Sequence, residues 1–211
     1  MFIKIIMKLN IICLHGFTQN ASIMKKKLAN LTKSLKNVNL FYLDGAVILP
    51  TESTESTETL QQRAYWIYNT DNPLTAIWSD HYNPTTAIYH LDGSVQKFNE
   101  LVKQIGQVDG IIGSSQGGCF ADYICKNINC SIKFAIFISA MPFKQDGDPN
   151  STIHTLHMFG KLDTIIPMDK SISLAKVYTH NETFIHEGAH IIPSNSAAKT
   201  CLRNFIQKMF N

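Results

Sequence analysis

Apolar residues along the chain are concentrated in six short runs, each about as long as one β-strand. The runs are nearly continuous rather than alternating, which is typical of strands in a sheet that helices cover on both faces. Between them lie five segments of helical length, several of which begin near Ser or Asp residues suited to helix capping. The predicted strands span residues 9–14, 38–43, 108–112, 133–139, 153–159 and 182–186, and the predicted helices span 22–35, 94–105, 116–128, 169–177 and 194–210. This alternation predicts an α/β fold of about six mostly parallel strands with helices on both faces.

One long segment, residues 44–93, interrupts the alternation between the second strand and the next helix. Connections of this length are usually functional or disordered. Its low-complexity tract at 51–59, TESTESTET, predicts a solvated loop. The rest carries aromatic residues at positions 65, 66, 68, 78, 82 and 89. They fit a loop over a functional site and a loop packed on the core about equally well.

Length and composition predict a single globular domain over residues 1–211. A hydrophobic content of 45% with 17% charged residues excludes a disordered chain. The net charge is only +3, and the basic residues are scattered apart from the run 25–27, so no nucleic-acid surface is expected. The three lysines of that run are predicted to form the solvated face of a helix rather than to bind an anionic partner.

The five cysteines form no close pair and no Cys/His ligand spacing. We therefore expect reduced thiols in a cytoplasmic protein. The apolar start of the chain is interrupted by Lys8 and Asn10 and lacks a small-residue cleavage site, so it is interpreted as a first strand rather than a secretory signal. No run approaches the ~20 apolar residues that span a bilayer.

The stretch GSSQGG at 113–118 contains the pattern G-x-S-x-G, in which a sharp turn from strand to helix lifts a serine above the edge of a sheet. Ser115 has Gly113 and Gly117 at the required positions, whereas Ser114 would need glycine at position 112. A predicted strand precedes the motif and a predicted helix follows it. Ser115 is therefore the candidate nucleophile, and Cys119 lacks the glycine bracket that would make it a rival.

A serine nucleophile needs a base that takes its proton and an acid that orients the base. In the α/β-hydrolase arrangement both follow the serine, acid first, in loops after strands. Asp163 follows the strand 153–159 and His190 follows the strand 182–186. The other candidates fit less well: His154, His157, His180 and His186 lie in or beside strands, Asp146 and Asp148 suit a turn, and Asp169 suits a helix cap.

Acyl transfer also needs N–H donors for the oxyanion. One candidate is the backbone N–H of Gln116, at the start of the helix after Ser115. The second is the N–H of Phe17, which follows His15-Gly16 in the loop after the first strand. His15 itself is a candidate for substrate binding, although a packed side chain that holds this loop is the favoured interpretation.

These motifs together resemble the FSH family of serine hydrolases, small α/β-hydrolases that include fungal family serine hydrolases and the ovarian-cancer-associated hydrolase. The resemblance rests on six pieces in family order: LHGFTQNA at 14–21, FYLDGA at 41–46, RAYW at 63–66, DGIIGSSQGG at 109–118, GKLDTIIP at 160–167 and EGAHIIP at 187–193. The resemblance implies an esterase or thioesterase in which Ser115 is the nucleophile, Asp163 the acid and His190 the base, without metal or cofactor. The family's usual Arg-Ala-Trp-aromatic is Arg63-Ala64-Tyr65-Trp66 here, and its Asp-Ala-Pro is Asp44-Gly45-Ala46.

The sequence therefore predicts a serine hydrolase that acts on small-molecule acyl esters or thioesters. Tyr65, Trp66 and Trp78, in the segment from 65 to 82, are expected to shape an apolar acyl pocket. Two alternatives stay open: an acyl-protein thioesterase or lysophospholipase of the carboxylesterase type, and a non-catalytic binding module on a hydrolase fold. The sequence leaves the oligomeric state and the natural substrate undetermined.

Overall fold

The computed structural model describes residues 8–50, 61–74, 87–128, 131–143 and 153–210. It contains strands β1 Leu9–Leu14, β2 Val38–Leu43, β3 Val47–Ile48, β4 Arg63–Ala64, β5 Gly110–Ser114, β6 Phe134–Ile138, β7 His154–Gly160 and β8 His180–His186. The helices are α1 Ala21–Thr32, α2 Leu91–Ile105, α3 Gln116–Asn127, α4 Met168–Val177 and α5 Ser196–Lys208. All six predicted strands and all five predicted helices are confirmed, with ends that differ by a few residues.

Six of the strands form one sheet in the order β2-β1-β5-β6-β7-β8, and every pairing in it is parallel. The prediction of a mostly parallel sheet is thus confirmed. From β1 the chain passes to β2 on one side and later returns to β5 on the other, so the strand order reverses between β1 and β5. Open α/β sheets bind ligands in the crevice at the carboxyl ends of the strands beside such a reversal.

Two apolar cores cover the two faces of the sheet. One contains side chains of α1 and α5, such as Leu28 and Leu202, and the other contains side chains of α2, α3 and α4, such as Phe98, Phe120 and Leu174. Alternate residues of β1 serve the two cores, since Ile11 packs in the first and Ile12 in the second. Burial on both faces explains why the strands are continuously apolar in the sequence.

The described parts of the segment 44–93 pack on this scaffold. The short strands β3 and β4 pair antiparallel, and Ile67 bridges to Tyr89. Two-residue strands have too little periodicity to be predicted from sequence. The tract 51–59 and the aromatic residues Trp78 and Tyr82 lie outside the described residues.

Asparagine side chains cap the two helices on the α1–α5 face. Asn20 Oδ1 accepts the N–H of Ile23, and Asn195 Oδ1 accepts the N–H of Ala198. The N-caps of these two helices are therefore asparagines and not the expected Ser or Asp residues, and asparagine offers an equivalent side-chain acceptor. None of the helices in the described parts of the chain is long and apolar enough to cross a membrane.

Candidate active site

Ser115 lies at the sharp turn between β5 and α3. Its backbone has φ 54° and ψ −122°, a conformation that costs an L-residue free energy and is found mainly at functional turns. The N–H of Ser115 donates to the carbonyl of Ile138 on the neighbouring strand at 2.9 Å, and its carbonyl accepts the N–H of Gly118 at 2.9 Å. The strained turn is therefore held from both sides. Ser114, by contrast, is the last residue of β5.

The glycine bracket is required by close backbone contacts. A Cβ on Gly113 would lie 2.3 Å from the carbonyl oxygen of Gly117, and a Cβ on Gly117 would lie 2.4 Å from the carbonyl oxygens of Leu14 and His15. No real Cβ tolerates such distances. Gly117 thus lets the start of α3 pack directly against the loop after β1, as the motif predicts.

Asp163 and His190 meet at the carboxyl ends of β7 and β8. Oδ2 of Asp163 lies 2.8 Å from Nδ1 of His190, and its Oδ1 accepts the backbone N–H groups of Ile165 at 3.0 Å and Ile166 at 2.9 Å. Because a carboxylate only accepts hydrogen bonds, Nδ1 carries the proton and Nε2 is left with its basic lone pair. The Asp163 side chain is fully buried and that of His190 is 20% exposed, so the imidazole reaches solvent and the carboxylate does not.

Two glycines, Gly160 and Gly188, bring the loop that carries Asp163 and the loop that carries His190 together. A Cβ on Gly160 would lie 2.1 Å from the carbonyl oxygen of Gly188, and that carbonyl accepts the N–H of Leu162 at 3.1 Å. Any side chain at position 160 would therefore push the His190 loop away from Asp163.

Ser115 and His190 border the same cavity of about 260 Å³. The structure records no direct hydrogen bond between these two described residues. The cavity is also lined by residues from α1 and its preceding loop, from the ends of β5 and β6 and from the loop that carries His190: Gln19, Lys27, Ser114, Ser139, Ile191 and Ile192. Sequence reasoning assigned no role to Gln19, Ser139 or the two isoleucines, and it treated Lys27 only as part of a solvated face.

Ser139 was missed although it has an unusual conformation. It follows β6 directly, has φ 46° and is 2% exposed, and its Oγ has no hydrogen-bond partner among the described residues. A buried hydroxyl without a partner and a left-handed backbone both cost free energy. Neither property produces a sequence pattern, so only the structure brings Ser139 to the cavity.

Of the two predicted oxyanion donors, Gln116 directly follows Ser115 in the chain, and Phe17 follows a glycine that lies near it. Gln116 is the first residue of α3, where N–H groups have no acceptor within the helix. Phe17 follows Gly16, and a Cβ on Gly16 would lie 3.4 Å from Cβ of Ser115 and 3.2 Å from Nε2 of Gln19. The loop after β1 therefore passes close to Ser115 and carries the Gln19 amide near Gly16.

His15 is a buried, neutral histidine. Its Nδ1 lies 2.7 Å from the carbonyl of Gly16, so Nδ1 is the donor, and Nε2 accepts the N–H of Gly45 at 3.0 Å. Burial lowers the pKa of this imidazole to about 4. With both nitrogens paired and no exposed surface, the side chain holds the loop and does not reach the cavity. The structure agrees with the favoured packing interpretation and not with direct substrate contact.

Tyr65 and Trp66 connect the segment 44–93 to the turn at Ser115 through hydrogen bonds to the neighbouring Gln116. The side-chain amide of Gln116 accepts the N–H of Tyr65 at 3.0 Å and donates to the carbonyl of Trp66 at 2.9 Å. The Tyr65 ring stacks between His15 and Phe120 at centroid distances of 4.7 and 4.6 Å. Both aromatic side chains have no exposed surface, so they support the site from below, and Ile191 and Ile192 supply the apolar wall of the described cavity instead. Trp78 lies outside the described residues.

The two segments that differ from the family's usual sequence, 44–46 and 63–66, contact each other. A Cβ on Gly45 would lie 2.3 Å from the carbonyl oxygen of Ala64 and 2.9 Å from the backbone N of Tyr65. Arg63 adds an ion pair to Asp44, with Nε 3.8 Å from Oδ2, and donates from a terminal nitrogen to the Gly45 carbonyl at 3.3 Å. Glycine at position 45 therefore allows the segment 63–65 to pack closely against the loop after β2.

The rival candidates that the structure describes are occupied elsewhere, whereas Asp146 and Asp148 lie outside the described residues. His186 accepts the N–H of Gly188 at Nδ1, and burial lowers its pKa. His154 and His180 stack on each other at the first residues of β7 and β8, the edge of the sheet opposite to the site. Asp169 lies in the first turn of α4 and does not cap it, since the N-cap is Pro167. Burial raises the pKa of the Cys119 thiol to about 12, which is unsuitable for a nucleophile.

This chain is similar in sequence to several known proteins. A family model described as "Serine hydrolase (FSH1)" matches residues 5–201. The Drosophila melanogaster protein named Esterase CG5412 is 26% identical over 97% of this chain and 76% of its own length, and the Danio rerio protein named Esterase OVCA2 is 26% identical over 95% and 97%. A Schizosaccharomyces pombe protein named dihydrofolate reductase is 25% identical over 94% of this chain, which spans 47% of that relative.

Solved structures show the fold. Zea mays acyl-protein thioesterase 2 superposes with a TM-score of 0.66 at 15% identity, covering 100% of this chain and 97% of the other. Because the sequence identity is only 15%, this similarity shows a shared α/β-hydrolase fold and nothing about activity.

Proposed function

Because this chain belongs to the FSH1 family of serine hydrolases, we propose that it hydrolyses carboxylic esters or thioesters of acyl substrates with Ser115, His190 and Asp163 as its catalytic triad. The observation that carries the proposal is the 2.8 Å contact between Asp163 Oδ2 and His190 Nδ1, at a cavity that Ser115 and His190 share. The strained backbone of Ser115 supports it as the nucleophile.

The proposed reaction proceeds in two matched halves. Ser115 Oγ attacks the acyl carbonyl carbon while Nε2 of His190 takes the hydroxyl proton, and the carbonyl oxygen becomes an oxyanion held by the N–H groups of Phe17 and Gln116. The carbon–oxygen or carbon–sulfur bond then breaks as His190 gives its proton to the leaving alcohol or thiol. Water attacks the acyl-enzyme in the same way, and the released products are the acid and free Ser115.

The hydrogen bond between Ser115 Oγ and His190 Nε2 that this scheme needs forms when substrate occupies the cavity. Catalytic hydrogen bonds are often long in free enzymes and shorten in the substrate complex. Asp163 supports the scheme because its two backbone donors and its burial fix the carboxylate, which in turn fixes the tautomer of His190.

An apolar acyl chain would lie against Ile191 and Ile192. Ile191 is 53% exposed, so the wall of the cavity offers apolar surface to a substrate. A cytoplasmic location is part of the proposal, and it is supported by the reduced thiols of Cys13, Cys119 and Cys201 in the described part of the chain.

Labelling with a fluorophosphonate probe tests the proposal directly, since the probe reacts only with an activated serine. Wild type and Ser114→Ala should be labelled and should hydrolyse p-nitrophenyl esters, whereas Ser115→Ala should lose both properties. Ser114 is the matched control because it is the adjacent serine and lines the same cavity. Parallel assays with oxygen and sulfur esters of one acyl group would show which class is preferred. A folded wild type that is not labelled would reject the triad and favour a non-catalytic binding module.

A further inference from the structure

Lys27 is placed differently from the two lysines that precede it. All three are exposed on α1, but only Lys27 lines the cavity that contains Ser115 and His190. Met24 and Leu28 of the same helix are fully buried, so α1 is fixed against the sheet and carries Lys27 at a defined place beside the cavity.

The described cavity offers no negative charge to neutralise Lys27. Its other lining residues are neutral amide, hydroxyl and aliphatic side chains together with His190. Among the residues that the structure describes, Lys27 makes no ion pair. Glu187, in the loop that carries His190, forms an ion pair with Lys161, whose Nζ lies 2.6 Å from Oε1 of Glu187.

Polar donors accompany this cation. The Gln19 amide lies near Gly16 and lines the cavity together with Ser115. Ser139, directly after β6, also lines it, and its buried hydroxyl has no hydrogen-bond partner among the described residues. A cation with amide and hydroxyl donors, and without a carboxylate, is the chemistry that binds carboxylate or phosphate groups.

From this placement we propose that the cavity selects acyl esters or thioesters that carry an anionic group, a carboxylate or a phosphate, and that Lys27 is the residue that recognises it. The inference rests on the proposed hydrolase function and adds the charge of its substrate. Lys27 lies in a cavity open to water, so its attraction to an anion is partly screened, and we expect an effect of about three- to tenfold in kcat/KM that weakens as salt is added.

Esters of equal length separate charge from chain length. The neutral substrate is p-nitrophenyl pentanoate, and the anionic ones are mono-p-nitrophenyl glutarate, with the charge on the acyl side, and 3-carboxy-4-nitrophenyl pentanoate, with the charge on the leaving group. The variants are Lys27→Gln, Lys27→Glu and the control Lys26→Gln, which removes the same charge from the same helix away from the cavity. Circular dichroism and thermal unfolding establish that each variant is folded.

Lys27→Gln should lower kcat/KM for one or both anionic esters about three- to tenfold relative to the neutral ester, and Lys27→Glu should lower this ratio further. Lys26→Gln should leave the ratio at the wild-type value. The anionic ester that responds identifies the side of the substrate on which the charge lies. If Lys27→Gln lowered kcat/KM equally for charged and neutral esters, the inference would be overturned. The proposed function would still stand if hydrolysis of the neutral ester depended on Ser115. Hydrolysis of none of these esters by folded wild type would overturn both.

Discussion

The hydroxyl of Tyr65 accepts a hydrogen bond from the backbone N–H of His15 at 3.0 Å. The same hydroxyl donates to the carbonyl of Leu43 at 2.9 Å, so the Tyr65 side chain joins the loop after β1 to the end of β2. The loop after β1 also carries Phe17, so this proposed oxyanion donor lies in a loop that is anchored at His15 by a residue fifty positions further along the chain.

Removal of this hydroxyl should affect both stability and turnover. Tyr65→Phe leaves the His15 N–H and the Leu43 carbonyl buried without a partner, which should lower the free energy of unfolding by about 1–3 kcal/mol. We expect kcat on a p-nitrophenyl ester to fall as well, because the loop at Phe17 loses its anchor.

Tyr178→Phe is the control for that experiment. Its buried hydroxyl donates to Asp122 Oδ1 at 2.7 Å, and neither residue lines the cavity. It should lose stability, measured by urea denaturation, and keep its kcat. Equal loss of kcat in both variants would contradict a specific role for Tyr65.

Asp163→Asn should abolish most of the activity and leave the fold in place. The amide oxygen can still accept the N–H groups of Ile165 and Ile166, but its NH₂ group then faces His190 Nδ1 and forces the proton onto Nε2, where a base is needed. We expect kcat to fall on the order of 10³- to 10⁴-fold. The matched control is Asp169→Asn, at an exposed carboxylate of α4, which should keep wild-type kcat. Wild-type turnover in Asp163→Asn would mean that another acid orients His190.

Gly117→Ala should be far more damaging than an alanine at another helical glycine. The new Cβ would lie 2.4 Å from two backbone carbonyl oxygens, so the start of α3 and the loop after β1 would have to separate. We expect a loss of more than about 3 kcal/mol in unfolding free energy, or no soluble protein. Gly93→Ala is the control in α2, since its Cβ would meet only Ala46 Cβ at 3.2 Å. Similar denaturation midpoints for the two variants would show that the backbone approach at Gly117 is adjustable.

Two buried histidines should make the protein less stable in acid. Burial lowers the pKa of His15 to about 4 and that of His157 to about 3, from an ordinary value of 6.5. Between these values and 6.5 the unfolded chain binds protons that the folded chain does not, so stability is fully present above pH 6.5 and is lost as the pH falls towards 4. Each histidine should change the free energy of unfolding by up to about 1.4 kcal/mol per pH unit in this range.

His157→Gln isolates one of these contributions because it removes a titrating group remote from the cavity. The unfolding free energy of the variant, measured by urea denaturation from pH 7 to pH 4, should depend less steeply on pH than that of wild type, whatever its absolute stability. An unchanged slope would mean that His157 does not stay neutral in the folded protein.

The order of elements and the identity of the proposed triad could be predicted from the sequence because both depend on local patterns. Continuous apolar runs mark strands buried on both faces, and G-x-S-x-G marks a turn whose tight contacts, at Gly113 and Gly117, require glycine. Asp163 and His190 were recognisable by their order and by their position after strands, since parallel strands bring such loops to one edge of the sheet.

The tertiary structure alone decided what surrounds the triad. The burial of Tyr65 and Trp66, the fit of Gly45 against Ala64, and the placement of Lys27 and Ser139 at the cavity depend on contacts between segments far apart in the chain. Periodicity reports only which face of an element is apolar, and it carries no information on which distant segment packs there. The sequence by itself therefore determined the fold and the candidate chemistry, whereas the shape and charge of the cavity followed only from long-range packing.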